Sequence, residues 1–314
     1  MISNKEVIMS RFFPLRLIPD KTKIDFMKIK QVNVLISIIA IMLSLACISI
    51  RGFNFGIDFT GGALIEARLN HKPVLENIHK ALKDLPIGEI KIQDFDGNNI
   101  MIRIGNHEKE NSSLGSNIEL VKTTLLKNYS EHIEFRKTDY VGPQVGGELV
   151  RKGILAIILS FAAILVYVAL RFEWQYGIGI IIALVHDTIV SLGIMSFTGL
   201  EFDLTSIAAI LTIIGYSVND SVVIYDRIRE NFTKFKKMSV NDIINLSINE
   251  TLSRTVLTVA TTLISVIALI LYGGPAIHSF SIVAFCGILI GTYSSIYVSA
   301  PILINLGLVR AKSK

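Results

Sequence analysis

Six stretches of this sequence are too long and too apolar to be ordinary core segments. They cover residues 32–50, 154–170, 176–197, 204–224, 256–272 and 280–306. About 17 apolar residues are enough for a helix to cross a hydrocarbon layer of about 30 Å. In lipid a backbone polar group finds no water, so each stretch must bond its own N–H and C=O groups as a helix. The last stretch is long enough to tilt or to end in the interface. With 51% hydrophobic and 18% charged residues, the composition fits a polytopic membrane protein and not a soluble domain with a large core.

The basic residues set an expected orientation. Lys5, Arg11, Arg16, Lys21, Lys23, Lys28 and Lys30 precede the first stretch. Arg227, Arg229, Lys234, Lys236, Lys237 and Arg254 fill the loop 225–255, and Arg310, Lys312 and Lys314 end the chain. The loops 198–203 and 273–279 hold no Lys or Arg. Excess Lys and Arg marks the cytoplasmic side. Segment 1–31, loop 225–255 and tail 307–314 are therefore expected inside, and segment 51–150 outside. The net charge of +5 follows from this asymmetry, with some attraction to anionic lipid, and needs no nucleic-acid partner. Cys47 and Cys286 both fall in the apolar stretches and supply no disulfide framework.

Segment 51–150 carries 12 Lys and Arg against 14 Asp and Glu, a balance suited to water. Residues 63–69 alternate as a strand does. Pro73 opens a helix with Val74, Leu75, Ile78 and Leu82 on one face. Segments 89–95 and 99–104 read as strands joined through Asp96-Gly97-Asn98. A helix over 114–129 and a strand over 132–140 complete a βαββαβ order, the pattern of a small α+β ferredoxin-like domain. The segment shows no metal-ligand spacing, nucleophile constellation or phosphate loop, and the chain is not expected to be an enzyme or to hold a cofactor.

The five stretches after residue 151 form the expected membrane bundle, and they contain residues that do not belong in lipid. Asn219 and Asp220 sit deep within 204–224. A carboxylate at the centre of a spanning helix costs about 2.5–3.5 kcal/mol on insertion scales, and such residues usually mark an ion or proton route. Arg254, at the start of the fifth stretch, lies at a depth from which it can approach Asp220 and tune it. His186 and Asp187 are adjacent in the third stretch, where one helix cannot point both the same way. A hydrogen-bonded packing role is the plainer reading for His186. Asp203 sits at an outer boundary and reaches water. Arg171, Trp174 and Tyr176 read as an interfacial belt, Gly287 and Gly291 as a close helix contact, and 239–253 as a helix along the membrane surface.

Longer motifs run through the chain. They are Phe55-Gly-Ile-Asp-Phe-Thr-Gly-Gly62, Val141-Gly-Pro-Gln-Val-Gly146, Arg171-Phe-Glu-Trp174, Gly215-Tyr-Ser-Val-Asn-Asp-Ser-Val-Val-Ile-Tyr-Asp-Arg-Ile-Arg-Glu-Asn231 and Asn249-Glu-Thr-Leu-Ser-Arg254. In this order they resemble the SecD/SecF family of the bacterial Sec preprotein translocase, within the resistance-nodulation-division superfamily. The resemblance implies one half of a twelve-span transporter and hence a SecD-like partner. It implies association with the SecY-SecE-SecG channel, with YajC and YidC as further contacts, and a proton-driven pull on preproteins at the inner membrane. It maps the family's intramembrane acid onto Asp220 and its basic residue onto Arg254; Asn219 and Asp187, polar residues within the apolar stretches, are further candidates for proton transport on their own placement. It maps the Gly-rich motif onto Gly56, Asp58, Gly61 and Gly62; the residues themselves read as structural there, with Gly61 and Gly62 permitting tight turns.

Other readings stay open at this stage. One is a proton-driven exporter of small molecules, and another a structural scaffold of the translocon. An intramembrane aspartyl protease would need a dyad of Asp187 with Asp220 or Asp226. No Gly-x-Gly-Asp sequence occurs to support it.

Overall fold

The computed structural model of the chain describes residues 19, 22–83, 85–87, 89–95, 97–105, 114–128 and 133–306. Most of the basic N-terminal segment, Asp96 of the expected turn, and the tail 307–314 lie outside the described residues. In chain order the elements are α1 (Lys30–Arg51), β1 (Asn54–Phe55), β2 (Gly62–Arg68), α2 (Leu75–Lys83), β3 (Ile90–Phe95), β4 (Asn99–Ile104) and α3 (Leu114–Asn128). There follow β5 (Glu134–Val141), α4 (Pro143–Arg171), α5 (Trp174–Thr198), β6 (Glu201–Phe202), α6 (Leu204–Lys234), α7 (Val240–Tyr272) and α8 (His278–Ser294). They divide into two compact units.

The first unit holds residues 53–158 and 200–207. Its four-stranded sheet runs β3-β4-β2-β5, antiparallel throughout. This is the strand order of a βαββαβ ferredoxin-like domain. Alternation in β2 and β4 turns Ile65, Ile100, Ile102 and Ile104 to one face, where Ile78 and Leu82 of α2 and Val121 and Leu125 of α3 close over them. Burying each large aliphatic side chain contributes about 1.5–3 kcal/mol. Arg68 faces the other way and stays exposed. Gly97 takes the positive φ that the β3–β4 turn requires.

The second unit holds the described residues up to 52, with 159–199 and from 208 on. Among the described residues six helices are long and apolar enough to cross a membrane: α1, α4, α5, α6, α7 and the run from His278 to Asn305. The last is not one regular helix. After α8 comes a π-helical turn, Ser295–Ser299, and then a final α-helical turn, Ala300–Asn305. Pro301 lacks an N–H and its ring crowds the carbonyl four residues earlier, so the regular ladder cannot pass through it. The surface helix expected over 239–253 is instead the first half of α7, which starts at Val240 behind the Ser239 cap. Likewise most of the loop read at 225–255 is helical, since α6 runs on to Lys234.

Small residues bring the spans together. Ser44 of α1 seats on Gly193 of α5, and Ile213 and Ser217 of α6 seat on Gly287 and Gly291 of α8. Without side chains at these glycines the backbones approach and dispersion contacts replace lipid.

Gly62 and Gly147 offer a contrast that tests the domain fold. Gly62 has φ +125°, and a β-carbon there would collide with the Ile104 carbonyl across the β2–β4 pair. Gly147 lies in α4 with nothing near its absent side chain. Gly62→Ala should destabilise by about 1–3 kcal/mol, whereas Gly147→Ala should be neutral or stabilise by up to about 1 kcal/mol. Thermal unfolding of the purified chain reads both, and equal midpoints for the two variants would contradict this account.

Candidate proton-handling site

Two buried carboxylates lie among the spanning helices of the second unit. Asp220 on α6 is 7% exposed and Asp187 on α5 is fully buried. Helical spacing explains why. On α5 the residues 176, 180, 183, 184, 187 and 191 share one buried stripe, and Asp187 falls within it. On α6, Ile213, Ser217, Asp220, Ser221 and Ile224 share another.

Among the described residues, hydroxyl groups supply all the hydrogen bonds that Asp220 receives. Thr255 Oγ1 of α7 donates to Oδ1 at 2.6 Å. Ser295 Oγ, the first residue of the π turn, donates to Oδ2. Asp187 Oδ2 accepts from Ser217 Oγ at 2.6 Å and Ser294 Oγ at 2.7 Å, and Oδ1 lies 2.9 Å from His186 Nδ1. A hydroxyl both donates and accepts. It can therefore serve a carboxylate and, turned round, a carboxylic acid. A guanidinium only donates and suits the ionised form alone. Asp220 is thus equipped for either protonation state.

The other expected residues fall elsewhere. Arg254 is exposed on α7, and among the described residues its guanidinium makes no hydrogen bond or ion pair, with Asp220 or otherwise. Asn219 is exposed on α6, on a stripe with Thr212 and Gly215 that points away from Asp220's buried side. Adjacent His186 and Asp187 are both buried among neighbouring helices, and the imidazole folds back onto the adjacent carboxylate. Tyr176 is not part of an interfacial belt. It is buried against Tyr225 with ring centroids 5.0 Å apart, whereas Trp174 is exposed, at 62%. Arg171 Nη2 instead donates to both carboxylate oxygens of Asp226, at 2.9 and 3.2 Å. That pairing leaves Asp226 unsuited to a protease dyad.

The Gly-rich motif builds a joint within the first unit. Gly56 N donates to the Phe202 carbonyl at 2.8 Å, and β1 pairs in parallel with β6. A side chain on Gly56 would sit 2.7 Å from Glu201 Oε1. Asp58 Oδ2 accepts from Leu204 N at 3.0 Å and so caps the start of α6. Asp203 Oδ1 caps the same turn, accepting from Ser206 N at 2.8 Å. Gly61 ends a helical turn at φ +71°, and Gly62 follows at φ +125°. Arg103 of β4 binds the Glu201 carboxylate and the Phe55 carbonyl, the latter at 3.1 Å. The helix that carries Asp220 therefore starts from a pinned first turn. Its anchors Glu201 and Arg103, like Ser217, Ser294 and Ser295, escape sequence reading. The serines leave a faint signal, hydroxyls at helical spacing within apolar runs; the Arg103–Glu201 pair leaves none, since its members lie far apart in the chain.

This is a multi-pass membrane protein with a polar site inside its helix bundle, and the comparisons agree on its kind. The sequence matches the family described as protein export membrane protein SecD/SecF, C-terminal, over residues 121–309, and the SecD/SecF GG motif over residues 48–72. The chain belongs to the SecD/SecF family. It is 56% identical to a protein named protein translocase subunit SecF from Rickettsia prowazekii, with 93% of this chain and 94% of that one aligned. A Rickettsia bellii protein of the same name is 55% identical, with 93% and 96% aligned. The crystal structure of SecDF from a Thermus species, described as translocon-associated, superposes with a TM-score of 0.83 at 32% identity, covering 97% of this chain. SecDF in a super-membrane-facing form gives a TM-score of 0.69 at 33% identity. This chain spans 42% and 41% of those two SecDF chains.

The joint makes a pH prediction. Burial above all pushes the Glu201 carboxyl up from its ordinary range; Arg103 pulls the other way, and Asp203 and Asp58 add to the rise. The folded chain thus holds this proton more firmly than the unfolded chain. Its contribution to stability is full below the ordinary glutamate range and is lost as pH rises through the raised value. Glu201→Gln stays neutral and should remove that part of the pH dependence. Arg103→Met leaves a partly buried carboxylate without its cation and should lower stability near neutral pH, by less than the about 3–5 kcal/mol of a fully buried pair. Unfolding curves followed from below the ordinary glutamate range to above neutrality read this dependence. An unchanged pH slope in Glu201→Gln would rule out this assignment.

Proposed function

We propose that this chain is the SecF-type half of a proton-driven accessory of the Sec translocase, which draws preproteins across the bacterial inner membrane. The observation that carries the reading is Asp220, a carboxylate at membrane depth whose hydrogen bonds come from Thr255 and Ser295. Partners that serve both protonation states are what a reversible proton carrier requires. In this reading both termini are cytoplasmic and the α+β domain is periplasmic, as the Lys and Arg asymmetry supports. One charge crossing 100 mV releases about 2.3 kcal/mol. That biases a two-state motion about fifty-fold, without any covalent chemistry.

A SecD-like partner completes the machine. Asn219 and Arg254 are exposed on this chain with no side-chain hydrogen bond or ion pair among its described residues, a costly state in lipid. We assign that face to the partner's helix bundle, with Asn219 and Arg254 lining the proton path at the seam. Arg254 then acts on Asp220 as a nearby mobile charge. The greater length of the SecDF chains supports a second half of similar size. The SecY-SecE-SecG channel, YajC, YidC and the preprotein belong to the same assembly. An exporter of small molecules remains the rival in the same superfamily; a drug-binding pocket in the α+β domain would favour it.

Asp220→Asn keeps the shape and removes the titration. It should leave assembly with the partner intact, abolish the gradient-dependent part of preprotein translocation into inverted vesicles, and spare the ATP-driven part. A variant that still gains normally from the gradient would make Asp220 structural and the chain a scaffold. Photocrosslinkers at Asn219 should capture the partner's helices. Capture of lipid alone, with all translocon subunits co-expressed, would refute the seam.

A further inference from the structure

His186 and Asp187 take no part in the role proposed for Asp220. Both are deeply buried, at 3% and 0% exposure, among spanning helices. His186 Nδ1 faces Asp187 Oδ1 at 2.9 Å, so one hydrogen lies between them whichever atom owns it. His186 Nε2 is buried with no hydrogen-bond partner among the described residues. A buried polar atom without a partner is unusual and calls for an explanation. If Nε2 carries no proton, the pair is a net anion at membrane depth. If it carries one, imidazolium and carboxylate neutralise each other. The two states differ by one proton on one atom.

Two adjacent serines link this pair to Asp220. Ser294 donates to Asp187 and Ser295 donates to Asp220. Each has a second acceptor within its own helix: Ser294 Oγ lies 3.1 Å from the Gly291 carbonyl, and Ser295 Oγ 2.9 Å from the Thr292 carbonyl. Each hydroxyl can therefore donate to an ionised carboxylate, or turn to its own helix and accept from a protonated one. The two serines sit where α8 gives way to the π turn. Such turns interrupt regular helices at functional sites and place side chains a regular helix would not. Ser217, one turn before Asp220 on α6, holds the other side of Asp187.

We propose that His186 and Asp187 form a second proton-binding site in this chain, and that Ser294 and Ser295 couple its occupancy to that of Asp220. The inference rests on Asp220 being the proton carrier and adds a station that does not involve the partner. The titratable and charged groups around the pair are these. Asp220 lies across the serines, with Arg254 beyond it on α7. Tyr293 of α8 has its ring centroid 6.2 Å from that of His186. Tyr297 follows on the π turn, 5.4 Å from Tyr293. On α1, Ser37 lies 3.0 Å from the Tyr293 hydroxyl, which donates to the Asn33 carbonyl at 2.8 Å. Proton uptake at Nε2 breaks no bond and needs no co-reactant.

The test uses the complete complex with its partner and channel in inverted vesicles. Gradient-driven translocation is measured across pH for the parent, His186→Gln, Ser294→Ala and Asp220→Asn. His186→Gln keeps a polar side chain of similar reach and removes the titration. It should lose the parent's pH dependence while ATP-driven translocation persists, and Ser294→Ala should shift the pH midpoint. Infrared pH-difference spectra of the detergent-solubilised complex supply a readout independent of transport. The parent should show paired imidazole and carboxyl bands, and Ser294→Ala should displace the carboxyl band. If His186→Gln fails to assemble, these spectra of the parent and Ser294→Ala decide. A parent without imidazole bands overturns the proposal, and so does a His186→Gln complex with the parent's pH midpoint. If Asp220→Asn instead keeps the full gradient response, the transport reading itself has failed.

Discussion

The hydroxyl–carboxylate contacts inside the bundle are the interaction on which the membrane unit depends. Two acids at depth would each be expensive in hydrocarbon, and among the described residues neither is held by a Lys or Arg ion pair. Asp220 and Asp187 persist because Thr255, Ser295, Ser217 and Ser294 reach them from three other helix segments. Each contact ties two spans together, so the groups that solvate the acids also determine how the helices pack. The glycines follow from that requirement. Ser217 can stand between α6 and α8 because Gly291 opposite it has no side chain.

The same economy explains why this site is wet chemistry held in a dry place. Hydroxyls solvate as water does, donating and accepting, yet they are fixed by the helices that carry them. Several also have a carbonyl of their own helix within reach, as Ser294 and Ser295 do. In the proposed role, a proton arriving at a carboxylate would be met by rotation of a hydroxyl and not by rearrangement of the bundle. A salt bridge would have held the acid in one state and blocked that exchange.

Much of the architecture was legible because lipid and water impose different periodicities. Apolar runs of about twenty residues marked the six spans. In the α+β domain, alternation at Ile100, Ile102 and Ile104 and a helical face at Ile78 and Leu82 marked strand and helix, with element boundaries within a few residues. The π turn was not legible, although Pro301 stood in view, because proline says that a ladder breaks and not how. The apolar count placed the start of the fifth span at residue 256, yet α7 begins at Val240. Its first half is amphipathic, and hydropathy registers only the part that is apolar all round.

The site was legible in its acids and illegible in their solvation. Asp220 and Asp187 stood out because charge in an apolar run is rare. Serine and threonine do not stand out there, since they are common in spanning helices and usually bond their own backbone. Pairing Asp220 with Arg254 followed from the attraction of opposite charges. Helix geometry decided otherwise: Thr255 is buried on the face of α7 that meets Asp220, and Arg254, one residue and about 100° away on a 3.6-residue helix, turns outward. In this chain alone the acid belongs to the bundle interior and the cation to its surface. A proton path that uses both must run along the boundary between them, where a second helix bundle can supply what this chain leaves unpaired.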